Sequence, residues 1–187
     1  PEPGAIRWDL GYLGTYSDDR QPTLDALLLE PARQWPEGRF VVAGPQYPPT
    51  VDWPGNVERI EHLPPPEHRA FYNGQRFTLN VTRADMIRTG YAPSVRLFEA
   101  AACGVPVISD FWTGLDAFFQ IGEEILVAQS LEEVLEYLKN VDEDGRRQIG
   151  ERARRRVLSA HTAEHRAEQL ETWVDELRAR PRATVRA

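Results

Sequence analysis

The chain has 187 residues and a formal net charge of −7, with 41% hydrophobic residues and a single Cys. This length fits one globular domain, and a lone Cys excludes an internal disulfide framework and a Cys-based metal cluster. No apolar stretch approaches the roughly 20 residues of a membrane span, and no signal peptide is visible. We therefore expect a cytoplasmic protein without membrane contact. The sequence starts at Pro1 rather than Met, which favours a fragment of a longer protein.

Charge is unevenly distributed along the chain. Residues 146–187 carry a net charge of +5, and the remainder carries −12. The acidic remainder argues against binding to nucleic acid, because that affinity comes mainly from neutralising phosphates. The basic end suits an anionic surface, such as that of an acidic neighbouring domain.

The amino-terminal half predicts four strands. Trp8–Gly14 forms the first, and Arg39–Gly44, Val57–Leu63 and Phe77–Val81 form the next three. All four are short, and Arg39–Gly44 and Phe77–Val81 are largely apolar, as expected for strands buried in a sheet.

Prolines indicate where helices begin and break between these strands. Pro22 stands at the favoured first position of a helix, and Pro31 is expected to kink or restart that helix before Trp35. Pro64–Pro66 opens a shorter helix through Tyr72. The first helix presents three leucines on one face: Leu24, Leu27 and Leu28.

The segment Gly90–Asp110 predicts a loop, a helix, a tight turn and a strand. Ser94 is a good N-cap for a helix that runs to Cys103. Gly104 suits the left-handed residue that follows a helix. The apolar stretch Val105–Ile108 then predicts a buried strand.

The charges of this central helix are unusually placed. Arg96 lies in the first turn, at the positive end of the helix dipole, where a cation is unfavourable by about 0.3–1 kcal/mol. The only acid of the helix, Glu99, follows three residues later. An anion bound to the free N–H groups of the helix start would offset this unfavourable interaction of Arg96 with the helix dipole. A half-exposed pair between Arg96 and Glu99 is the alternative.

The last third is mainly helical. Phe111–Phe119 predicts an aromatic-rich loop or short helix, and Glu124–Val127 a further strand. Ser130 opens a capping box for a helix that ends near Asn140. Two long helices follow, over Asp144–Ser159 and from Thr162 to about Arg180. The second carries an apolar stripe, formed by Leu170, Trp173, Val174 and Leu177.

Strands that alternate with helices predict an α/β fold with a doubly wound parallel sheet and right-handed crossovers. Such sheets bind ligands beyond the carboxyl ends of their strands. Three predicted loops converge at that edge, namely Gly14–Arg20, Thr82–Ser94 and Asp110–Leu115. The sequence therefore predicts a small-molecule site there.

The central segment resembles a known family. Tyr91–Asp110 looks like the donor-binding segment of group 1 glycosyltransferases of the GT-B fold, the retaining, family 4-like enzymes. Leu79–Arg83, Gly90–Gly104 and His161–Arg166 resemble the spore-maturation-protein branch of that group. The resemblance extends over Asp9–Leu177, which is almost the whole chain.

The resemblance implies the Rossmann-like carboxy-terminal lobe of a two-lobed enzyme. Residues 1–160 would form the domain that binds a nucleoside-diphosphate sugar. Residues 161–187 would form a helix that docks on the absent amino-terminal lobe, where the acceptor binds. The implied reaction transfers the sugar to an unknown acceptor with retained configuration, and the chain alone is expected to be inactive.

Two glutamates eight positions apart mark the family's donor site. The second, which holds the ribose hydroxyls, matches Glu99. The first touches the sugar ring, and its position is occupied by Tyr91. The chain therefore departs from the family at the sugar contact.

The start of the central helix matches the backbone amides that meet the diphosphate and the sugar in the family. The matching residues that have an N–H are Ala92, Ser94 and Val95, whereas Pro93 has none. The base is held in the family by backbone groups at the end of the third strand, which correspond to His62 and Leu63.

The family also places a basic pair on the diphosphate, from the loop after the first strand. Arg20 matches one member, and the other falls near Thr15 or Tyr16, in the loop that begins at Gly14. These loop residues are included in the expected donor site, with Arg20 and Glu99 as the residues that position the donor for catalysis. The missing charge is expected from a further arginine, either Arg83 or Arg96.

Structural roles are alternatives for several of these residues. In these alternatives Glu99 only forms a pair with Arg96, and Tyr91 is a packing aromatic. Arg20 is then a solvated loop residue that balances the charge of the two aspartates before it. His62 and His68 lack metal-ligand spacing with each other and with Cys103, and they are interpreted as bystanders. His161 and His165 lie four residues apart around a helix start, where they are interpreted as capping residues or as packing between lobes, with a zinc site as the alternative. We accordingly expect no metal and no other cofactor.

Three functions remain open. The first is a glycosyltransferase that uses a nucleoside-diphosphate sugar. The second is a non-catalytic nucleotide-sugar-binding or regulatory module of the same fold, which Tyr91 in place of glutamate favours. The third is a sugar-nucleotide epimerase, which shares the two-lobed fold but requires an acid–base set that the sequence does not reveal.

Overall fold

The computed structural model describes residues 6–179. Its centre is a sheet of six parallel strands in the order β3-β2-β1-β4-β5-β6. The strands are β1 (Trp8–Leu13), β2 (Phe40–Ala43), β3 (Val57–Ile60), β4 (Gln75–Asn80), β5 (Val107–Ser109) and β6 (Leu126–Val127). The chain order reverses where β1 and β4 lie side by side, so a crevice between their following loops is the expected ligand position.

Eight α-helices surround this sheet in the described part of the chain. They are α1 (Gln21–Leu24), α2 (Glu30–Gln34), α3 (His68–Asn73), α4 (Ala84–Thr89), α5 (Val95–Ala102), α6 (Leu131–Asn140), α7 (Glu143–Ala160) and α8 (Ala163–Ala179). The predicted α/β, doubly wound fold with long carboxy-terminal helices is confirmed.

Two apolar cores lie on opposite faces of the sheet, because successive side chains of a strand point to opposite sides. In β2, Phe40 and Val42 pack into one core and Val41 and Ala43 into the other. The first core is completed by the α1–α2 segment and α6, and the second by α3, α5 and α7. Burial on both faces explains why β2 is continuously apolar.

The predicted interruption at Pro31 takes the form of a π-helical turn. Hydrogen bonding changes from the α to the π pattern over Asp25–Leu29, where the N–H of Glu30 donates to the Asp25 carbonyl, and α2 then resumes. Proline has no N–H for an α-helical bond, and the change of pattern lies directly before Pro31.

The prediction of a loop over Thr82–Ser94 is wrong in one part, because α4 occupies its centre. None of the residues of α4 is buried, so the helix carries no apolar periodicity. Its N-terminus is capped from another loop: the N–H of Ala84 donates to the Asp19 carboxylate at 2.9 Å. A helix capped by a residue 65 positions away has no local sequence signature.

Strand lengths also differ from the predictions. The strand predicted at Glu124–Val127 is shortened to the two residues of β6, because the N–H groups of Glu124 and Ile125 bond back to the Gln120 carbonyl in a turn. β3 ends at Ile60 rather than Leu63, which leaves the following residues in an exposed loop.

The helix α8 contributes no buried side chain. Three residues of its stripe, Leu170, Trp173 and Leu177, are 59%, 54% and 62% exposed. The predicted helix end at Arg180 and residues 181–187 lie outside the described residues. Within residues 6–179, no helix combines the length and apolar character that crossing a membrane requires.

Candidate active site at the carboxyl edge of the sheet

The loops after β1 and β2 are in close contact. The N–H of Gly14 donates to the Ala43 carbonyl at 2.8 Å, and the Tyr47 hydroxyl donates to the Gly14 carbonyl at 3.1 Å. Gly44 has φ of +137°, and a Cβ there would lie 2.1 Å from the Gly14 oxygen. Only glycine permits this approach, so the backbone after β1 is fixed at the switch point of the sheet.

Arg20 is turned back over its own loop. Its Nη2 donates to the Thr15 carbonyl, while its Nε is buried and forms no hydrogen bond within the described structure. The alternative in which Arg20 pairs with its neighbouring aspartates is not formed. Asp18 accepts from the Tyr16 hydroxyl at 2.6 Å, and Asp19 accepts from Ser17 and from the Ala84 N–H.

The other two predicted segments join this loop through hydrogen bonds. Asp19 links the first loop to the start of α4. The backbone N–H and hydroxyl of Thr82 both donate to the Asp110 carboxylate, at 2.9 and 2.7 Å. The N–H of Tyr91 donates to the Thr113 carbonyl at 2.8 Å. The three segments therefore converge at one edge, as the sequence predicts. Burial raises the pKa of Asp110 despite its donors.

The start of α5 lies at the centre of this edge. Ser94 is the N-cap, and its hydroxyl accepts from the Arg96 N–H at 3.4 Å. Val95 is 67% exposed, and Ala92 is half-buried. The Leu97 N–H donates to the Ser94 carbonyl at 3.1 Å. Among the described residues the N–H groups of Ala92, Ser94 and Val95 have no partner, so these are available to a ligand, together with the positive end of the helix dipole.

Arg96 does not pair with Glu99. Only 8% of Arg96 is exposed, and its Nε donates to the Leu13 carbonyl at 2.5 Å and its Nη1 to the Asn80 amide oxygen at 3.0 Å. Its guanidinium lies 4.8 Å from the centre of the Tyr12 ring. Arg96 therefore ties the end of β1 to α5 and adds positive potential beneath the helix start.

Glu99 is exposed on the next turn of α5, and its Oε2 accepts from the Tyr72 hydroxyl at 3.2 Å. Tyr72 is only 1% exposed. The sequence prediction missed this partner, because α3 and α5 are brought together only by packing on the same face of the sheet. Burial raises the pKa of Tyr72 against the opposing charge of Arg96, and the charge and hydrogen bond of Glu99 raise it further.

Tyr91 is not a buried packing aromatic. It has φ of +50°, which is uncommon for a residue other than glycine, and 67% of it is exposed. One edge of its ring lies against Gly114, where a Cβ would be 2.4 Å from the ring. The ring is therefore held in place by the loop after β5 while its remaining surface faces outward.

The remaining candidates lie on the loops around this centre. Leu63 is half-buried, and its carbonyl is 3.3 Å from Nε2 of His68, so His68 is in contact with the candidate site. Arg83 is the exposed N-cap residue of α4.

His161 contacts the Phe118 carbonyl at 3.2 Å, and Thr162 bonds Nδ1 of His165 at 2.7 Å. Residues 6–179 contain no cluster of three or more His, Cys, Asp or Glu side chains suited to a metal ion.

A doubly wound sheet with a glycine-containing loop after β1, and a helix start with free amides beside it, defines a class of proteins. These are open α/β proteins, a class in which ligands bind beyond the carboxyl ends of the strands at the switch point. Within that class, residues 20–172 match the family described as glycosyl transferase-like. The chain belongs to this family. A comparison with curated protein sequences gives no match.

Solved structures of GT-B glycosyltransferases share the fold. Sucrose-phosphate synthase from Thermosynechococcus elongatus has a TM-score of 0.74 at 18% identity, over 93% of this chain and 46% of that one. Anabaena HepE, solved with UDP and glucose, has a TM-score of 0.69 at 14% identity, over 90% and 48%. The C-terminal domain of a glycosyl transferase group 1 family protein from Francisella tularensis has 0.64 at 14%, over 85% and 88%.

The shares of the solved structures that are covered show which part of the GT-B fold this chain corresponds to. It spans less than half of the sucrose-phosphate synthase and HepE chains, but most of the isolated C-terminal domain from Francisella tularensis. The chain thus has the fold of one lobe of a GT-B glycosyltransferase of group 1. Membership of the spore-maturation-protein branch stays a prediction.

Proposed function

We propose that the chain is the donor-binding lobe of a glycosyltransferase that takes its sugar from a nucleoside diphosphate. The observation that carries this proposal is the arrangement of α5. At its start, the N–H groups of Ala92, Ser94 and Val95 have no hydrogen-bond partner among the described residues, and the exposed carboxylate of Glu99 follows one turn later. The amides suit a diphosphate and the carboxylate suits a pair of ribose hydroxyls.

Each predicted residue has a role in this proposal. Glu99 accepts from the ribose hydroxyls, and the base meets the backbone at Leu63. The diphosphate lies against the N–H groups of Ala92, Ser94 and Val95, with Arg20 approaching from the opposite loop. Tyr91 faces the sugar. The remaining members shape or charge the pocket: Gly14, Thr15, Tyr16, Arg83 and Arg96.

The chemistry follows from the leaving group. When the bond between the sugar and the diphosphate breaks, negative charge develops on the departing diphosphate oxygen, and preorganised donors stabilise that charge. Arg20 and the α5 dipole supply such donors, so we propose that the donor binds without a metal ion. Arg96 contributes through its field and by fixing the Leu13 carbonyl, because its Nε and Nη1 already donate within the protein.

The acceptor would be held by an amino-terminal lobe, and transfer would retain the configuration of the sugar. Two facts support this part of the proposal. The chain spans less than half of sucrose-phosphate synthase and of HepE. The apolar stripe of α8 is also exposed on this lobe, as expected for a surface that docks on another.

Isothermal titration calorimetry with UDP, GDP and ADP and their glucose conjugates tests donor binding. We expect one of the three nucleoside diphosphates to bind with a dissociation constant in the micromolar range, which corresponds to about 8 kcal/mol. Binding should persist in EDTA. Absence of binding by all six compounds to a folded chain would reject the proposal.

A binding module without transfer activity is the second candidate, favoured by Tyr91 at the position where the family has a glutamate. Both functions predict donor binding, so they are separated by product analysis of the longer protein. Release of free nucleoside diphosphate together with glycosylated acceptor indicates transfer. Conversion of one nucleotide sugar into its epimer would instead indicate the epimerase alternative.

A further inference from the structure

Tyr72 lies behind the proposed ribose site. It is the fifth of the six residues of α3 and is buried in the same apolar core as Leu97 and Ala100 of α5. Its ring also packs edge-on against Phe71, with the ring centres 6.0 Å apart. The phenol is therefore fixed in position, while its hydroxyl points out of the core to Glu99 at 3.2 Å.

In the hydrogen bond between Tyr72 and Glu99, Tyr72 is the donor. Burial raises the pKa of Tyr72, so its hydroxyl stays protonated and donates to Oε2 of Glu99. No described basic residue forms an ion pair with Glu99, whose Oε1 accepts no hydrogen bond from residues 6–179. One carboxylate oxygen is thus held by the protein, and the other remains open to a ligand donor.

We propose that Tyr72 is a positioning residue that orients the Glu99 carboxylate toward the two ribose hydroxyls. This inference rests on the proposed function, because it concerns the same site. Glu99 is exposed on a helix surface, where a long side chain samples several rotamers. A buried donor that selects one of them lowers the ordering cost at binding.

The proposal predicts an effect on ribose selectivity rather than on affinity alone. A carboxylate aimed at both hydroxyls favours a ribonucleotide over its 2′-deoxy counterpart, which offers one donor fewer. Without the Tyr72 hydroxyl the carboxylate is free to rotate, and this preference should shrink.

The test measures the affinities of UDP, GDP and ADP and of their 2′-deoxy counterparts by calorimetry. We expect the wild type to prefer the ribonucleotide of the recognised base by roughly 10-fold, as the loss of one charge-assisted hydrogen bond implies. In Tyr72→Phe this ratio should fall to about 2- to 4-fold. In Glu99→Gln the ratio should fall as well, and adding Tyr72→Phe to it should change the ratio little.

Tyr137→Phe is the matched control. Tyr137 also uses its hydroxyl for one hydrogen bond, to the Val127 carbonyl at 3.0 Å, but it lies on α6 on the other face of the sheet. This variant should melt at a lower temperature and keep the wild-type ratio.

The outcomes distinguish failure of the positioning role of Tyr72 from failure of the proposed function. A Tyr72→Phe variant that melts lower but keeps the wild-type ratio would give Tyr72 a purely structural role and overturn the proposal. Equal affinity of the wild type for a nucleoside diphosphate and for its 2′-deoxy counterpart would reject the ribose role of Glu99 in the proposed function. The positioning role of Tyr72 would be rejected with it. Failure of every nucleotide to bind would reject the proposed function as a whole.

Discussion

Arg96 illustrates how a buried cation is accommodated at a helix start. Its guanidinium is a rigid fork of donors, and it reaches one backbone carbonyl, one amide oxygen and the face of Tyr12. The sequence places Arg96 and Glu99 on one helix, and their spacing suggests a pair. In the structure they face different partners, which leaves the Glu99 carboxylate without a cation among residues 6–179.

Glu99→Gln should lower the affinity for the nucleoside diphosphate by about 1.5–3 kcal/mol, or roughly 10- to 150-fold. The amide keeps the shape of the side chain but loses the charge that strengthens both ribose contacts. The fold should survive, because the Tyr72 hydroxyl can donate to the amide oxygen as it does to the carboxylate. Calorimetry measures the affinity, and thermal melting checks the fold.

Glu136→Gln, at an exposed position of α6, is the control and should change neither quantity. If Glu99→Gln instead lowers the melting temperature sharply and the folded protein binds normally, Glu99 has a structural role. The proposed ribose contact would then be abandoned.

At the level of elements, local chemistry accounts for most of what the sequence predicts. Ser130 and Asp142 cap α6 and α7 with their own side chains, so these helices are visible in a short window of sequence. The helix α4 is not, since its cap Asp19 belongs to a remote loop. The contact between Tyr72 and Glu99 is equally invisible, because it depends on how α3 and α5 pack.

The joint between α7 and α8 contains the titratable group His161. Its Nε2 contacts the Phe118 carbonyl and its Nδ1 lies against Arg166, so the neutral ring with a proton on Nε2 fits both neighbours. The ring also packs near three phenylalanines, Phe98, Phe118 and Phe119. Burial, followed by the charge of Arg166, lowers the pKa of His161 below its usual 6.5.

This shift predicts how stability depends on pH. A histidine whose folded-state pKa is lowered binds its proton more readily when unfolded. Its stabilising effect is therefore complete above pH 6.5 and is lost as the pH falls through the folded-state pKa. The melting temperature of the wild type should drop between pH 7 and pH 5, and His161→Gln should remove part of that drop.

His62→Gln serves as the comparison, because His62 is exposed in the loop after β3. It should follow the wild-type curve throughout. Identical curves for His161→Gln and the wild type would show that His161 titrates alike in the folded and unfolded chain.

For the whole molecule, the exposed stripe of α8 is the feature that a single lobe does not explain. Replacing Leu170, Trp173 and Leu177 together by Ser should leave the melting temperature of this chain almost unchanged. None of the three is buried, and surface changes of this kind usually stay within about 0.5 kcal/mol each. In a protein that contains the proposed amino-terminal lobe, the same replacements should weaken the association of the two lobes, which limited proteolysis would report.

Val157→Ser provides the contrast, since Val157 of α7 is 4% exposed and packs in the core. It should lower the melting temperature markedly. A comparable loss from the α8 replacements would mean that the stripe packs on this lobe, contrary to the proposed docking role.

The overall topology was predictable because apolar stretches that alternate with amphipathic ones leave few arrangements open. The proposed location of the site, at the carboxyl edge of the sheet, rests on that topology. The direction of individual side chains did not, and Arg20 shows why: its guanidinium turns to the Thr15 carbonyl rather than to the adjacent aspartates. The accepting carbonyl follows Gly14, whose backbone is in close contact with Gly44 of another loop, and no local pattern encodes that contact.

The central claim, that a nucleotide sugar binds at the carboxyl edge of the sheet, is tested most directly by hydrogen–deuterium exchange with and without a saturating nucleoside-diphosphate sugar. We expect slower exchange in residues 14–20 and 92–99, which hold the proposed diphosphate and ribose contacts, and unchanged exchange in α8. Protection confined to the opposite edge of the sheet, around Arg7 and Gly55–Glu58, would contradict the account.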